Sequence, residues 1–238
     1  VGATKAVNVN SAPAFKSSKA VSSSYTGPSL PTPISVPTSY TGTITNASSI
    51  SSVVSGGNWL IKGPMTIGKT AANFLTNSWP SVNSTLFVSG NVTISTALAL
   101  PIYRVVVLPG ATLTFSGLVN FTTPGYYSSR TVLEVKEGGT VNFDGGFIFE
   151  KGSPYYPDRV VNYGTINIGK SSSYANLNNE YFYNASSGTI SSSKGSAALH
   201  LDNNSSFYNF GSTDLAGDGV SASSSYCSIE NEAGADFE

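Results

Sequence analysis

Polar and apolar residues alternate over short stretches throughout the second half of the chain. The segment TVNF at 140–143 and the segment TINI at 165–168 each alternate polar residues with β-branched or aromatic ones. An alternation with period two predicts β-strands that bury one face and expose the other. We therefore expect an all-β chain. Its inward-facing positions should include Val141, Phe143, Ile166, Ile168 and Ile190.

A glycine closes one apolar run and opens the next at a nearly constant interval. The successive intervals are 25, 24, 23 and 23 residues between Gly139, Gly164, Gly188, Gly211 and Gly234. A fixed period of about 20–50 residues is typical of stacked repeats, in which each coil buries its apolar face only against its neighbours. Since no window shows a long helical pattern, the period predicts a right-handed parallel β-helix, or β-solenoid, with these glycines stacked in register at one corner. An ordinary β-sandwich with chance similarity among its turns is the alternative that the sequence leaves open.

The composition divides the chain into three segments. Residues 1–41 are rich in serine and proline, which is typical of an extended arm that lies on its own chain or on a neighbouring molecule. Residues 42–84, which include Trp59, are predicted to form a cap over the unpaired edges of the first coil. The parallel β-helix is predicted over 85–238. Because the sequence stops inside a repeat unit, we expect the natural protein to continue beyond this point.

Charge is scarce along the whole sequence. Charged residues make up 11% of the chain and the net charge is −1, which argues against binding to nucleic acid or to an anionic membrane surface. No run of about 18 apolar residues occurs, so the sequence predicts no membrane insertion. Its single cysteine, Cys227, cannot form an internal disulfide, and we interpret it as a small buried residue. A disulfide with another chain is the alternative.

Asparagine sequons indicate the compartment. Seven Asn-x-Ser/Thr sites are glycosylation candidates: Asn46, Asn83, Asn91, Asn120, Asn184, Asn203 and Asn204. Together with the low charge, they favour an extracellular location, at the cell surface or in the cell wall.

Two predicted corner loops carry tyrosine pairs beside a proline. Tyr126 and Tyr127 lie in TTPGYYSS, and Tyr155 and Tyr156 lie in KGSPYYPDR. Tyrosines on loops suit stacking on carbohydrate or contact with a protein, so these four residues are candidate binding residues. Packing of each corner against the next coil is the alternative.

Catalytic chemistry has little support in the sequence. The best set is His200, Asp202 and Asp214, where the first two would share a strand face. The segment DLAGDG at 214–219 has too few acids for a dedicated calcium loop. No phosphate-binding glycine loop, Cys/His metal set or nucleophile elbow is present, so we predict no cofactor and no metal.

Several repeat units resemble a known family. The units VVNYGTINIG, FYNASSGTISSS and SSFYNFGSTDL resemble coils of the hyphally regulated cell-wall protein family of fungal adhesins, over about Leu86 to Glu238. This resemblance implies a secreted, wall-anchored adhesin whose β-helix is displayed on a glycosylated stalk. It does not supply a binding residue for any position of this chain.

Three functions follow from these observations. The first is a non-enzymatic extracellular adhesin or structural glycoprotein that binds cell-surface glycans or proteins. The second is a filament subunit that binds copies of itself, in which Val7–Val9 or Ile34–Val36 of the arm adds a strand to a neighbour. The third is a polysaccharide lyase or hydrolase of the β-helix type.

Overall fold

The structure is a computed structural model whose described residues form mostly strands and tight turns. The described ranges are 7–8, 28–52, 56–72, 84–101, 104–122, 131–150, 158–169, 175–193, 199–216, 219–223, 226–232 and 234–237. Helix is limited there to a 3-10 segment at Ala47–Ser52 and one helical turn at 69–72. Within these ranges no helix has the length and apolar character needed to cross a membrane.

The strands are short and follow one another closely. The first group is β1 (Val7–Asn8), β2 (Gly42–Ile44), β3 (Asn58–Lys62), β4 (Met65–Ile67), β5 (Thr85–Ser89), β6 (Asn91–Ile94), β7 (Leu98–Pro101) and β8 (Arg104–Val107). The second group is β9 (Thr112–Phe115), β10 (Val119–Thr122), β11 (Thr131–Val135), β12 (Thr140–Phe143), β13 (Phe147–Glu150), β14 (Asp158–Asn162), β15 (Thr165–Ile168) and β16 (Ala175–Asn178). The third group is β17 (Glu180–Asn184), β18 (Thr189–Ser192), β19 (Leu199–Asp202), β20 (Ser206–Asn209), β21 (Ser212–Leu215), β22 (Val220–Ala222), β23 (Ser228–Asn231) and β24 (Asp236–Phe237).

The strands form three sheets. From β5 onward, successive strands along the chain belong to the ten-stranded, the eight-stranded and the six-stranded sheet in turn. The ten-stranded sheet has the order β1-β23-β20-β17-β14-β11-β8-β5-β3-β2, the eight-stranded sheet β24-β21-β18-β15-β12-β9-β6-β4, and the six-stranded sheet β22-β19-β16-β13-β10-β7. Neighbouring strands pair in parallel, for example β14 with β17 and β15 with β18. The antiparallel exception is β1 on β23. This arrangement confirms the parallel β-helix and is incompatible with a β-sandwich.

The parallel stack extends back to Gly42. Strands β2 and β3 belong to the ten-stranded sheet and β4 belongs to the eight-stranded sheet. Trp59 in β3 is buried in the common core, and Ile50 of the 3-10 segment packs into the same core. The segment predicted as a cap thus contributes strands to the same ladders as the later coils.

The interior is a continuous apolar column. All five predicted inward-facing residues are at most 3% exposed, which confirms the alternation: Val141, Phe143, Ile166, Ile168 and Ile190. Identical side chains stack on one another from coil to coil. The rings of Phe115 and Phe143 lie 5.5 Å apart at an interplanar angle of 7°. Each stacked pair buries aromatic area that a single coil would expose.

Glycines form a column at the corner that joins the ten-stranded and eight-stranded sheets. The amide of Thr165 donates to the carbonyl of Gly139 at 2.9 Å, and the amide of Thr189 donates to that of Gly164 at 2.8 Å. A Cβ atom at Gly164 would collide with the carbonyl oxygen of Gly139 in the coil below. The close approach of the coils therefore requires glycine here, as the spacing predicts.

The prediction for the last glycine is wrong by one residue. Strand β24 pairs Asp236 with Ser212, and the amide of Asp236 donates to the carbonyl of Gly211 at 3.1 Å. Ala235 therefore occupies the column position, where it is 4% exposed. Gly234 precedes it in the turn with φ of +85°, a conformation that favours glycine for a different reason.

Buried asparagines form a second column beside the glycines. Asn162, Asn184, Asn209 and Asn231 end successive strands of the ten-stranded sheet in register. Each side-chain amide donates to the next carbonyl oxygen, from Asn162 to Asn184 at 2.8 Å and from Asn184 to Asn209 at 2.8 Å. The same amides also reach main-chain carbonyls across the corner, such as Ser212 O at 3.0 Å. This asparagine ladder satisfies polar groups that the corner would otherwise bury without partners.

Replacing Asn184 by alanine tests the ladder. Asn184 is fully buried, so Asn184→Ala removes the acceptor for Asn162 and the donor for Asn209. We expect the free energy of unfolding to fall by about 1–3 kcal/mol, measured by urea denaturation. The control is Asn91→Ala at an exposed position, which should cost less than about 0.5 kcal/mol. Equal effects of the two variants would contradict a structural role for the ladder.

Candidate functional site

The N-terminal arm covers part of the ten-stranded sheet on its own chain. Residues 28–40, here called the strap, lie on the outer face of this sheet. Leu30 packs against an aromatic cluster that includes Tyr183 and Tyr208, and the ring of Tyr40 meets that of Phe87 edge-on at 5.5 Å. Since these contacts belong to strands β17, β20 and β5, the strap crosses the coils rather than following one strand.

The structure describes Val7, Asn8 and residues 34–36 of the two arm segments predicted to add a strand, and Val9 lies outside the described residues. Val7–Asn8 forms β1, which pairs antiparallel with β23 at the edge of the ten-stranded sheet. Residues 34–36 do not form a strand, and they lie on the face of the sheet instead of its edge. In this structure the described parts of the arm therefore contact their own chain.

Two charged side chains clamp the backbone of the strap. The amide of Ile34 donates to both carboxylate oxygens of Glu134, at 2.9 and 3.2 Å. The ammonium of Lys136 forms an ion pair with Glu134 and donates to the carbonyl of Ile34 at 2.6 Å. Glu134 is 1% exposed, so the pair satisfies a buried carboxylate and one strap residue at once. We call this pair the clip.

Tyr163 adds a third attachment. Its hydroxyl donates to the carbonyl of Pro31 at 3.1 Å. Burial and the nearby Glu134 carboxylate raise the pKa of Tyr163 to about 12, so the phenol stays protonated and keeps donating at neutral pH. Burial also raises the pKa of Tyr183 in the adjoining cluster.

The sequence indicates this cover through two strands that are apolar on both faces, a feature that the alternation of polar and apolar residues does not include. Strand β11 (TVLEV) is buried at every position, and β8 (RVVV) is buried at all but its first residue. A strand that is apolar on both sides needs cover on both faces. Glu134 is the one acid within such an apolar strand. Its carboxylate binds the backbone of the strap, which covers the sheet at this point.

Releasing the clip should loosen the strap. Glu134→Ala removes the acceptor of Ile34 and leaves Lys136 without its ion pair, so we expect a loss of about 3 kcal/mol in the free energy of unfolding. Chymotrypsin cleavage after Tyr40 should also become faster. The exposed Glu137 lies near the clip, and Glu137→Ala is the matched control that should change neither quantity. Unaltered cleavage in Glu134→Ala would contradict the clip.

The three residues proposed for catalysis are not brought together. His200 and Asp202 share the outer face of β19, as the spacing predicts. His200 Nδ1 lies 2.7 Å from Ser221 Oγ, and Asp202 accepts a hydrogen bond from Ser223. Asp214 belongs to β21 in the eight-stranded sheet, so the predicted set is wrong as a single cluster. Between Asp202 and Asp214 the chain passes through β20 of the ten-stranded sheet, which residue spacing alone does not reveal.

Other predicted sites have mixed outcomes. Tyr126, Tyr127, Tyr155 and Tyr156 lie outside the described residues, as does Asp218 of the DLAGDG segment. Cys227 is fully buried, as expected for a small interior residue, and its thiol donates to the carbonyl of Asn203 at 2.9 Å. Within the described ranges no group of three or more His, Cys, Asp or Glu side chains could hold a metal ion.

The sequons differ in accessibility. Asn46, Asn91, Asn203 and Asn204 are exposed, and Asn83 lies outside the described residues. Asn120 is partly buried on β10, and Asn184 is fully buried in the asparagine ladder. A glycan on Asn184 is incompatible with this fold, because its amide nitrogen is engaged inside the corner.

Two acids are buried at the corner that leads into the ten-stranded sheet. Asp158 and Glu180 begin strands β14 and β17 in register and are 3% and 1% exposed. Glu180 Oε2 is buried and has no hydrogen-bond partner among the described residues. Burial, followed by repulsion from Asp158, raises the pKa of Glu180 well above its usual value of 4.5, so its carboxyl group is kept protonated.

This raised pKa gives a stability that depends on pH. Above about pH 4.5 the unfolded chain releases the proton of Glu180 while the folded chain retains it, so stability falls as pH rises towards the raised pKa. Glu180→Gln is neutral at every pH, and we expect it to be more stable than the wild type at neutral pH and less sensitive to pH. Urea denaturation across this range measures the effect, with exposed Glu137→Gln as the control. An unchanged pH profile would show that Glu180 does not titrate as inferred.

The outer face of the eight-stranded sheet carries two regular rows of uncharged polar side chains. The hydroxyl row takes the first residue of successive strands from β9 onward, namely Thr112, Thr140, Thr165, Thr189 and Ser212, and Asn91 holds the same position in β6. The amide row lies two residues further along strands β6 to β18, at Thr93, Thr114, Asn142, Asn167 and Ser191, and Asp214 holds the corresponding position in β21. All of these residues are partly or fully exposed.

Hydrogen bonds connect the amide row from coil to coil. Asn142 donates to the hydroxyl of Thr114 at 3.1 Å, and Asn167 donates to the carbonyl oxygen of Asn142 at 2.8 Å. Ser191 then donates to Asn167 at 2.9 Å. These bonds connect Thr114 to Ser191 and restrict the rotamers of the side chains between them.

Comparison of this chain with protein-family models, with curated proteins and with solved structures finds no match.

Proposed function

We propose that this chain is a non-enzymatic extracellular surface protein, an adhesin or a structural glycoprotein, that binds cell-surface glycans or proteins. The observation that carries the proposal is the pair of in-register polar rows on the eight-stranded sheet. Repeated identical groups on a rigid face suit many weak contacts, and display of many copies on a surface multiplies their effect. The exposed sequons and the resemblance of the repeat units to fungal cell-wall adhesins support a location at the cell surface.

Self-assembly is the second candidate, and the arm bears directly on it. Strand donation between copies needs a segment that leaves its own chain. The strap and β1 instead contact their own sheet, with the clip and Tyr163 holding the strap. In a filament these segments would have to leave their own sheet and pair with a neighbouring copy.

The enzymatic alternative would place catalysis on the outer face of the six-stranded sheet. His200 and Asp202 would have to act on a polysaccharide without Asp214, which lies on another sheet. Release of new reducing or unsaturated ends from a polysaccharide, stopped by His200→Ala or Asp202→Asn, would overturn the non-enzymatic proposal.

Adhesion of coated beads tests the proposal. We expect beads carrying the folded chain to be retained on cell-wall or cell-surface material, with retention rising more steeply than coating density. The control is Ile166→Asp, which places an unpaired carboxylate in the core and should destroy the fold. Replacing Tyr126, Tyr127, Tyr155 and Tyr156 by serine measures the contribution of the two corner loops to bead retention. Equal retention of wild type and Ile166→Asp, or a concentration-dependent filament by light scattering, would contradict it.

A further inference from the structure

We propose that the eight-stranded face binds an extended, uncharged, β-linked polysaccharide that runs along the stack and crosses the strands. This inference rests on the proposed function and names its ligand class and its site. The hydroxyl row makes the contacts, and the amide row beside it fixes the geometry.

The hydroxyls of the first row are available to a ligand. The side chains of Thr140, Thr165 and Thr189 make no hydrogen bond to the described residues, and each is at least partly exposed. A hydroxyl can both donate and accept, and so can each hydroxyl of a sugar ring. The two surfaces therefore complement each other without fixed donor or acceptor roles.

The spacing of the rows matches a linear repeat. The pairing from β6 to β21 has no register shift, so one side chain of the hydroxyl row recurs at every coil. Parallel strands lie about 4.8 Å apart, which is close to the advance of an extended β-linked chain per sugar ring. One ring can then lie over each coil, and the contacts repeat along the row.

The charge of the face also selects the ligand. From Asn91 to Ser191 neither row contains a charged residue. Among the described residues of this face, acids occur at its margins, with Asp144 at the corner that follows β12 and Asp214 and Asp236 in the last two coils. An uncharged polymer meets no unpaired charge from the described residues of the two rows, and an acidic polysaccharide meets no cation there.

A protein partner fits this face less well. Protein interfaces concentrate their binding energy in buried aromatic and arginine anchors. The two rows contain neither type of residue. The aromatic side chains on the outer surface of the ten-stranded sheet lie beneath the strap and are already covered, as shown by Tyr183 at 2% exposure.

Depletion binding to insoluble polysaccharides tests the inference. Protein made in bacteria, and so free of N-glycans, is mixed with cellulose and with chitin, and starch serves as the α-linked comparison. We expect retention on at least one β-linked polymer and none on starch. The variant Thr140→Val/Thr165→Val/Thr189→Val removes three hydroxyls, keeps β-branched side chains, and should weaken binding at least tenfold with an unchanged unfolding midpoint. The control Thr43→Val/Thr45→Val alters two exposed threonines away from this face and should bind like the wild type.

Three outcomes would overturn the inference. They are equal binding of the triple variant, equal retention on starch, and no retention on any β-linked polymer. If coated beads still adhere to cell material in the last case, the proposed function stands and only this ligand assignment fails. If adhesion is also absent, both fail. Adhesion that disappears when the target is stripped of protein by protease would assign the surface to a protein ligand instead.

Discussion

Parallel, in-register pairing between consecutive coils is the constraint on which the whole structure depends. It brings the same kind of residue into the same position of every coil, so one local choice is repeated along the entire stack. At the corner that joins the ten-stranded and eight-stranded sheets, glycine lets the backbones of neighbouring coils approach closely. The asparagine ladder supplies hydrogen-bond partners for the buried polar groups of that corner. Neither feature stabilises an isolated coil, since the partner of each group lies in the neighbouring coil.

The same repetition explains how much could be predicted from the sequence. Inward residues such as Ile166 follow from alternation alone, and the corner glycines follow from their period. The position of Ala235 could not be found in this way, because alanine fits the column but breaks the glycine pattern. Asp214 was grouped with His200 although the two are on different sheets, because spacing along the chain does not show where the corners lie.

The three outer faces have different chemistry although they are built from the same coils. The ten-stranded sheet has an apolar outer face that the strap covers, with a buried acid and a lysine holding the strap backbone. The eight-stranded sheet has neutral rows that face solvent, and the six-stranded sheet carries His200 and Asp202 beside serines. The strap and the neutral polar rows thus lie on separate faces, so changes on one face need not disturb the other.

The strap also changes how such a stack is expected to fold. A solenoid held only by neighbouring coils has mostly local contacts, and its ends can unravel one coil at a time. The strap joins residues that are 100, 102 and 132 positions apart, from Ile34 to Glu134 and Lys136 and from Pro31 to Tyr163. Contacts of such long range form late, because the intervening chain must first be ordered. The strap can therefore dock only after several coils have formed. Because it contacts all of these coils, they are expected to unfold together and not one by one.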